Sequence, residues 1–249
     1  MEFLFIIILG FLLGTGIIFL GVIMGAIQNR KNKEKVKKYI IALVALTLIV
    51  IVLGVVFNTL LLMGGAAEKP IIYLYPTEEM DLILKLGNKD KMTCSYPKYN
   101  DGWNVIAKPN GDLNDIDTGR NLYSLYYESK NTVNFNIQKD GFIVEGEKVA
   151  EFLEEKLTIL GLTEKESEEF IIYWLPRLQK NKYNYIRFAT MEEIEKNMPL
   201  EFSVKPDTII RVLMTYKGLN KPIKIEEQQL ETPIRNGFVA VEWGGTEIK

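Results

Sequence analysis

Residues 3–27 read FLFIIILGFLLGTGIIFLGVIMGAI, and residues 40–63 read IIALVALTLIVIVLGVVFNTLLLM. Each run exceeds twenty residues and contains no charged side chain. Because about 20 residues at a rise of about 1.5 Å span the ~30 Å hydrocarbon core of a bilayer, each run predicts a transmembrane helix. These two runs decide the organisation of the chain. We expect a two-helix transmembrane hairpin over 1–67, anchored in the lipid bilayer, followed by one polar domain over 68–249.

The segment between the runs, residues 28–39, reads QNRKNKEKVKKY and carries six basic residues against one acidic residue. Short basic loops of this kind stay on the cytoplasmic side of a membrane. The N-terminus has only Met1 and Glu2 outside the first run and offers no competing positive charge. We therefore expect a protein of the plasma membrane with loop 28–39 in the cytoplasm and with the N-terminus and the C-terminal domain outside. A cleaved signal peptide would need a positive start and a shorter apolar core.

Four glycines of the first run, Gly10, Gly14, Gly21 and Gly25, follow helical spacing and form one small-residue stripe. Such a stripe lets a second helix approach closely. We expect the second run to be that helix, and the alternatives are the same helix of a second copy of the chain or a partner helix of a larger membrane complex. Neither run carries an acidic or basic residue, which argues against an ion or proton path and favours a simple anchor.

The composition excludes several kinds of chemistry. The chain has no histidine and a single cysteine, Cys94. This rules out catalysis by Ser-His-Asp or Cys-His groups, histidine-bound zinc and internal disulfides. The domain after the hairpin has 24 basic and 30 acidic residues, so we expect no nucleic-acid partner. The oxygen-rich segment 110–119 does not follow the spacing of an EF-hand, and we expect no metal and no cofactor.

The pattern of the polar domain predicts an α+β fold of mostly antiparallel strands with two central helices. Alternation and turn pairs such as Asp101-Gly102 predict a meander in the first half, and further strands return after the helices. The predicted helices are residues 147–160, capped by Gly161, and a second one that begins at Thr163 with a capping box and stops at Pro176. A short third helix is expected over 191–196. The expected strands are 71–76, 81–86, 91–96, 103–108, 121–129, 133–138, 141–145, 183–188, 202–204, 209–216, 223–226 and 238–243.

Several motifs of this domain occur in one order. They are KPIIYLYP at 69–76, CSYP at 94–97, YWLP at 173–176 and GFVAVEWGG at 237–245. In these motifs the domain resembles a family of uncharacterised bacterial envelope proteins. The resemblance implies that 69–249 form one unit of a bacterial envelope protein. It implies no reaction, and the hairpin lies outside the shared motifs.

Two carboxylates are weak candidates for catalysis. Strand alternation puts Glu242 on the face of Phe238 and Ala240, and it puts Glu128 on the face of Tyr126. A carboxylate among apolar neighbours either pairs with a cation or has a raised pKa, as a general acid needs. Arg211 is the expected cation, and a buried ion pair is the favoured interpretation. The alternative is that Glu128 and Glu242 hydrolyse a glycan or wall polymer.

Aromatic residues offer a binding surface instead. Amphipathic rings suit grooves for sugar or peptide, although rings at strand or helix spacing are more often part of a core. The candidate binding residues are Trp103, Tyr126, Arg211 and Trp243. We therefore expect a membrane-anchored extracytoplasmic domain that binds or scaffolds without catalysis. Its partner would be an envelope glycan, a peptide or a membrane protein.

Overall fold

The computed structural model describes residues 2–62 and 66–248, with side chains described over 14–54 and 68–248. The chain divides into two compact units, residues 1–63 and residues 64–249. The small residues Gly64-Gly65-Ala66-Ala67 predict a hinge between the units, and Gly64 and Gly65, its first half, lie outside the described residues. The other half, Ala66 and Ala67, belongs to a strand.

The first unit contains two helices, α1 (Glu2–Gln28) and α2 (Lys33–Leu62). Helix α2 begins earlier than expected, inside the basic segment, because Asn32 caps it: the backbone N–H of Lys35 donates to Asn32 Oδ1 over 3.2 Å. Among the described side chains, one segment, Lys33–Gly54, is long and apolar enough to cross a membrane, and Gly14–Gln28 is a shorter apolar helix. By length and composition such a segment is a membrane anchor or part of a signal sequence.

Gly10 of the glycine stripe lies outside the described side chains, and the other three glycines do not all pack within this pair of helices as expected. A Cβ added at Gly14 or Gly21 would meet no atom within 4 Å. Of these three, Gly25 alone has a close approach, since an added Cβ would lie 2.7 Å from the ring of Tyr39. The close helix contact therefore lies next to the connection between α1 and α2, where a short turn holds the helices together.

The second unit has α+β architecture with two sheets. Apolar residues of the strands face a packed layer on one or both sides of a sheet. In each sheet, neighbouring strands are often not consecutive in the sequence. The strands are β1 (Ala66–Tyr75), β2 (Met80–Leu86), β3 (Met92–Tyr96), β4 (Trp103–Ala107), β5 (Leu113–Asp115), β6 (Arg120–Leu122), β7 (Leu125–Lys130), β8 (Asp140–Glu145), β9 (Tyr183–Phe188), β10 (Leu200–Phe202), β11 (Thr208–Leu219), β12 (Glu226–Glu227) and β13 (Val239–Glu247). The helices are α3 (Val149–Ile159), α4 (Glu164–Leu178) and α5 (Met191–Asn197).

The large sheet has the order β12-β8-β9-β11-β13-β1-β7-β3, and the small sheet has the order β10-β2-β4-β5-β6. Most pairs are antiparallel, but β11 pairs with β13, and β12 with β8, in parallel. The first half of the domain is therefore not the single meander that was expected. Its strands are divided between two sheets, and β1 lies inside the large one, between β13 and β7.

Alternation along β1 explains the three layers. Ile71 and Tyr73 face a core shared with α3 and α4, whereas Ile72 and Leu74 face a core shared with the small sheet. In β2, the predicted inward residues Leu82, Leu84 and Leu86 are all buried. The domain thus consists of a helical layer, the large sheet and the small sheet.

The local helix signals are confirmed. Thr163 and Glu166 form the predicted capping box of α4, and Gly161 has the predicted left-handed conformation, with φ of +83°. The predicted end at Pro176 is wrong, because α4 continues to Leu178. Proline removes only the bond to the carbonyl of Ile172, and water can reach that group because the residue is 67% exposed.

The segment 133–138 is not a strand, although its sequence alternates. Side chains replace the neighbouring strand: Asn197 Oδ1 accepts from the backbone N–H of Thr132 over 2.7 Å, and the Tyr185 hydroxyl accepts from Gln138 N–H over 3.0 Å. The predicted strand 121–129 is also divided, because the chain passes from the small sheet to the large sheet at Tyr123 and Ser124.

Candidate functional site

The most suitable binding surface of the described domain is a groove between α4 and the outer strands β7 and β3 of the large sheet. Its volume is about 660 Å³. Four tyrosines line it, and we call it the tyrosine groove: Tyr96, Tyr123, Tyr126 and Tyr173. Lys69 and Glu169 supply the two charged groups of its lining.

The groove exists because the helical layer does not extend over the edge of the large sheet. Tyr96 of β3 lies directly opposite Tyr126 of β7 on the face that α4 leaves open. From the other side α4 contributes Glu169, Ile172 and Tyr173, whose spacing places them on one face of a helix. The result is a concave surface with aromatic rings on both walls.

The division between β6 and β7 supplies a further ring. At this point the chain changes sheets, and Tyr123 is left at the rim with 49% of its surface exposed. Tyr96, at the end of β3, is also 49% exposed. Rings with this exposure can stack on a ligand without leaving a core, unlike the buried tyrosines of the same strands.

A cation accompanies three of the four rings. Lys69 Nζ lies 4.6 Å from the centre of the Tyr173 ring, and Lys165 Nζ lies 4.7 Å from that of Tyr123. The guanidinium of Arg120 donates to the Tyr96 hydroxyl over 3.3 Å. These contacts hold the rings in place and leave positive charge at the edge of the groove.

Three of the groove tyrosines, Tyr123, Tyr126 and Tyr173, carry neutral hydroxyls. Burial, and then the hydrogen bond and charge of Glu128, raise the pKa of Tyr126 above its ordinary value. Burial likewise raises the pKa of Tyr123 and of Tyr173. Beside them Glu169 accepts a 2.7 Å hydrogen bond from the buried Tyr73. The lining therefore offers ring faces, hydroxyl donors and one carboxylate acceptor.

Glu242 and Arg211 form the buried ion pair that the sequence favoured. Arg211 Nε donates to Glu242 Oε2 over 2.5 Å, and the Tyr127 hydroxyl donates to Glu242 Oε1 over 2.7 Å. Arg211 also donates to Glu195 and to the carbonyl of Met198, each over 2.7 Å. The side chains of Arg211 and Glu242 are 1% and 7% exposed, so neither meets a ligand.

The charges of this cluster reinforce each other. Burial alone would lower the pKa of Arg211, but the charge and hydrogen bond of Glu242, together with the charges of Tyr127 and Glu195, outweigh burial and raise it. Burial and the same carboxylate raise the pKa of Tyr127 well above its ordinary value. Arg211 therefore stays charged and Tyr127 stays protonated, as a structural pair requires.

Glu128 and Glu242 do not share a site. Glu242 lies opposite Ile72 of β1, which in turn lies opposite Leu125 of β7, so these three side chains share the face of the small sheet. Three residues further along β7, Glu128 points to the other face. The two carboxylates that a glycosidase needs within about 10 Å across one sugar are therefore separated by the sheet.

The two candidate tryptophans are core residues and do not line a groove. Trp103 is 1% exposed and belongs to the core between the sheets, where its indole N–H donates to the carbonyl of Pro97 over 3.0 Å. Trp243 is fully buried in the other core, beneath the helices. Of the four candidate binding residues, only Tyr126 lines the tyrosine groove.

The sequence did not point to Tyr96, Tyr123 or Lys69. A usable signal for Tyr123 was the pair Tyr123-Ser124, which interrupts the alternation of 121–129. Nothing local distinguishes Tyr96 from a core tyrosine. Over the described ranges 2–62 and 66–248, no group of three or more acidic or cysteine side chains is arranged to hold a metal ion.

Comparisons of the chain with protein-family models, with curated proteins and with solved structures find no match.

Proposed function

We propose that this protein is a membrane-anchored domain of the bacterial cell envelope that binds a glycan in the tyrosine groove outside the plasma membrane. The observation that carries the proposal is the pair of half-exposed rings, Tyr96 and Tyr123, beside a groove of about 660 Å³. A groove of this size, mostly apolar with a few polar groups, is typical of a small-molecule or oligosaccharide site.

The anchor is the apolar pair of helices. Helix α2 contains a segment long and apolar enough to span a bilayer, and α1 is an apolar helix with no charge between residues 3 and 27. The basic residues between α1 and α2 and at the start of α2 favour a cytoplasmic connection, which leaves the second unit outside. The resemblance to bacterial envelope proteins supports the same location.

A glycan fits the lining better than a peptide strand does. Sugar rings have apolar C–H faces that stack on tyrosine and hydroxyl edges that donate to a carboxylate such as Glu169. An added peptide strand would instead use the edge of β3. That edge is five residues long and is bounded by Lys91 and Pro97, features that discourage strand addition.

Catalysis is not part of the proposal. Glu242 is occupied by Arg211 and Tyr127, and Glu128, which shares the face of Tyr126, hydrogen-bonds to that tyrosine. The one carboxylate in the lining of the groove is Glu169, which accepts from Tyr73. A binding domain needs no second carboxylate, whereas a hydrolase of the retaining or inverting kind does.

The test is titration calorimetry on the full chain in detergent, with the β-1,4-linked tetramer of N-acetylglucosamine as probe. We expect binding by the unmodified protein, and Tyr123→Ala should weaken it by about tenfold through loss of stacking. Tyr183→Ala, at the start of β9 and outside the groove, is the matched control and should leave the affinity unchanged. Equal losses in both variants, or no binding of saccharide at all, would contradict the proposal.

A further inference from the structure

Lys69 adopts a backbone conformation that a lysine disfavours. Its φ is +51°, and among the described residues it is the single non-glycine residue with positive φ. It also precedes Pro70, and a residue before proline is normally extended. Lys69 lies where β1 shifts register, since Glu68 pairs with Gly245 but the next paired residue is Ile71. A glycine would adopt this left-handed conformation without the steric cost of a Cβ.

The ammonium group of Lys69 lies in the tyrosine groove. The side chain belongs to the lining together with Ile71, and its Nζ lies over the ring of Tyr173. No carboxylate of the described residues forms a salt bridge with it. The ammonium group therefore remains available to a ligand in the groove.

Two further cations lie at the edge of the groove. Lys165 and Arg120, which contact Tyr123 and Tyr96, also form no salt bridge within the described part of the chain. The carboxylate of the lining, Glu169, accepts from Tyr73. The carboxylates near the groove tyrosines, Glu68, Glu128 and Glu169, therefore leave these ammonium and guanidinium groups without an ion-pair partner among the described residues.

We propose that Lys69 is the residue that determines specificity for an acidic glycan, and that it binds a carboxylate on the sugar chain. This inference rests on the proposed function, because it names the class of glycan that the same groove takes. Stacking on the tyrosines is indifferent to charge, whereas a charge-assisted hydrogen bond from an ammonium group is not. Observed strain at a site is a reason to infer function there, and Lys69 combines a positive φ with an ammonium group in the groove.

Two tetrasaccharides that share a backbone but differ in charge separate the contribution of stacking from that of the Lys69 ammonium group. One alternates N-acetylglucosamine and N-acetylmuramic acid and carries carboxylates, and the other is the neutral tetramer of N-acetylglucosamine. Both are titrated calorimetrically into the full chain in detergent. We expect the acidic probe to bind about tenfold more tightly than the neutral one, with a preference that weakens as salt is added.

Lys69→Gly is the decisive variant, because it should increase the stability of the fold and decrease the preference for the acidic probe. The glycine should raise the denaturant midpoint of unfolding, since it removes the steric cost at positive φ. The same substitution should abolish the preference for the acidic probe, so that the two probes bind with similar affinity. Lys69→Arg should keep the preference. Lys85→Gln, an exposed lysine of the small sheet, is the matched control and should change neither affinity.

The outcomes distinguish this inference from the proposed function. If the neutral probe binds but the acidic probe binds no better, or if Lys69→Gly keeps the preference, the role of Lys69 is wrong and the glycan groove stands. If Lys69→Gly lowers the midpoint, the residue is not held against its preference and the inference is wrong. If neither tetrasaccharide binds, the proposed function and the inference both fail.

Discussion

Arg211 and Glu242 lie side by side on the parallel strands β11 and β13, and the guanidinium Nε donates to the carboxylate over 2.5 Å. Both side chains are buried, and Tyr127 completes the cluster from the neighbouring part of the sheet. Because removal of one member of a buried pair leaves the other charge uncompensated, this cluster is expected to stabilise the fold and not to act on a ligand.

The first prediction concerns the two carboxylates that the sequence singled out. Glu242→Gln should lower the free energy of unfolding by about 3 kcal/mol, because it leaves a buried guanidinium with less compensating charge. Glu128→Gln, at a partly exposed position, should change it by no more than about 0.5 kcal/mol. Tryptophan emission during urea unfolding measures both, since the three tryptophans all lie in the second unit, at 103, 174 and 243. Equal stability of the two variants would contradict the structural role of Glu242.

A second buried pair holds the irregular segment before β13. The side chain of Glu166 is fully buried and accepts from both terminal nitrogens of Arg235, over 3.0 and 3.2 Å. Arg235→Ala should detach residues 230–236 and cost about 2 kcal/mol, less than a fully buried pair because Arg235 is partly exposed. Hydrogen exchange checks it: amides of this segment should exchange faster, while β1 remains protected. Uniformly faster exchange would instead indicate general destabilisation.

The third prediction is a dependence of stability on pH. Burial alone would raise the pKa of Glu193, but the backbone N–H of Thr190 and the guanidinium of Arg187 outweigh it and lower the pKa. A lowered pKa means that the carboxylate stabilises the fold above its unfolded pKa and that this contribution is lost as the pH falls through the folded pKa. The difference in unfolding free energy between the unmodified chain and Glu193→Gln should stay constant above about pH 5. Below about pH 4 this difference should shrink towards zero. If the curves of unfolding free energy against pH for the unmodified chain and for Glu193→Gln stay parallel, the lowered pKa of Glu193 is contradicted.

Local signals predicted the helices well. The capping box of Thr163 and Glu166 and the left-handed Gly161 involve partners within a few residues, so the sequence contains both members of each interaction. The inward leucines of β2 follow from simple alternation. The end of α4 was misjudged because Pro176 removes one hydrogen bond, and the exposed position of its acceptor makes that loss tolerable.

The arrangement of the sheets and the site could not be predicted in the same way. Alternation placed Glu242 on the face of Ala240, as observed, but it could not relate that face to the face of Glu128. Their relation depends on how β1 pairs with both β13 and β7, which is a contact between distant parts of the chain. For the same reason the tyrosine groove was missed, since it joins residues from β3, β7 and α4.

Labelling of the native cysteine tests most directly whether the second unit lies outside the plasma membrane and binds a glycan in the tyrosine groove. Cys94 is exposed on β3, two residues before Tyr96, and it is the one cysteine of the chain. A membrane-impermeant maleimide should label it in intact cells that express the protein, and the N-acetylglucosamine tetramer should slow the labelling by covering the adjacent groove. Cys94→Ser is the control for specificity. Labelling that requires permeabilised cells would contradict the extracytoplasmic location, and labelling at an unchanged rate with saturating tetramer would contradict the groove as the binding site.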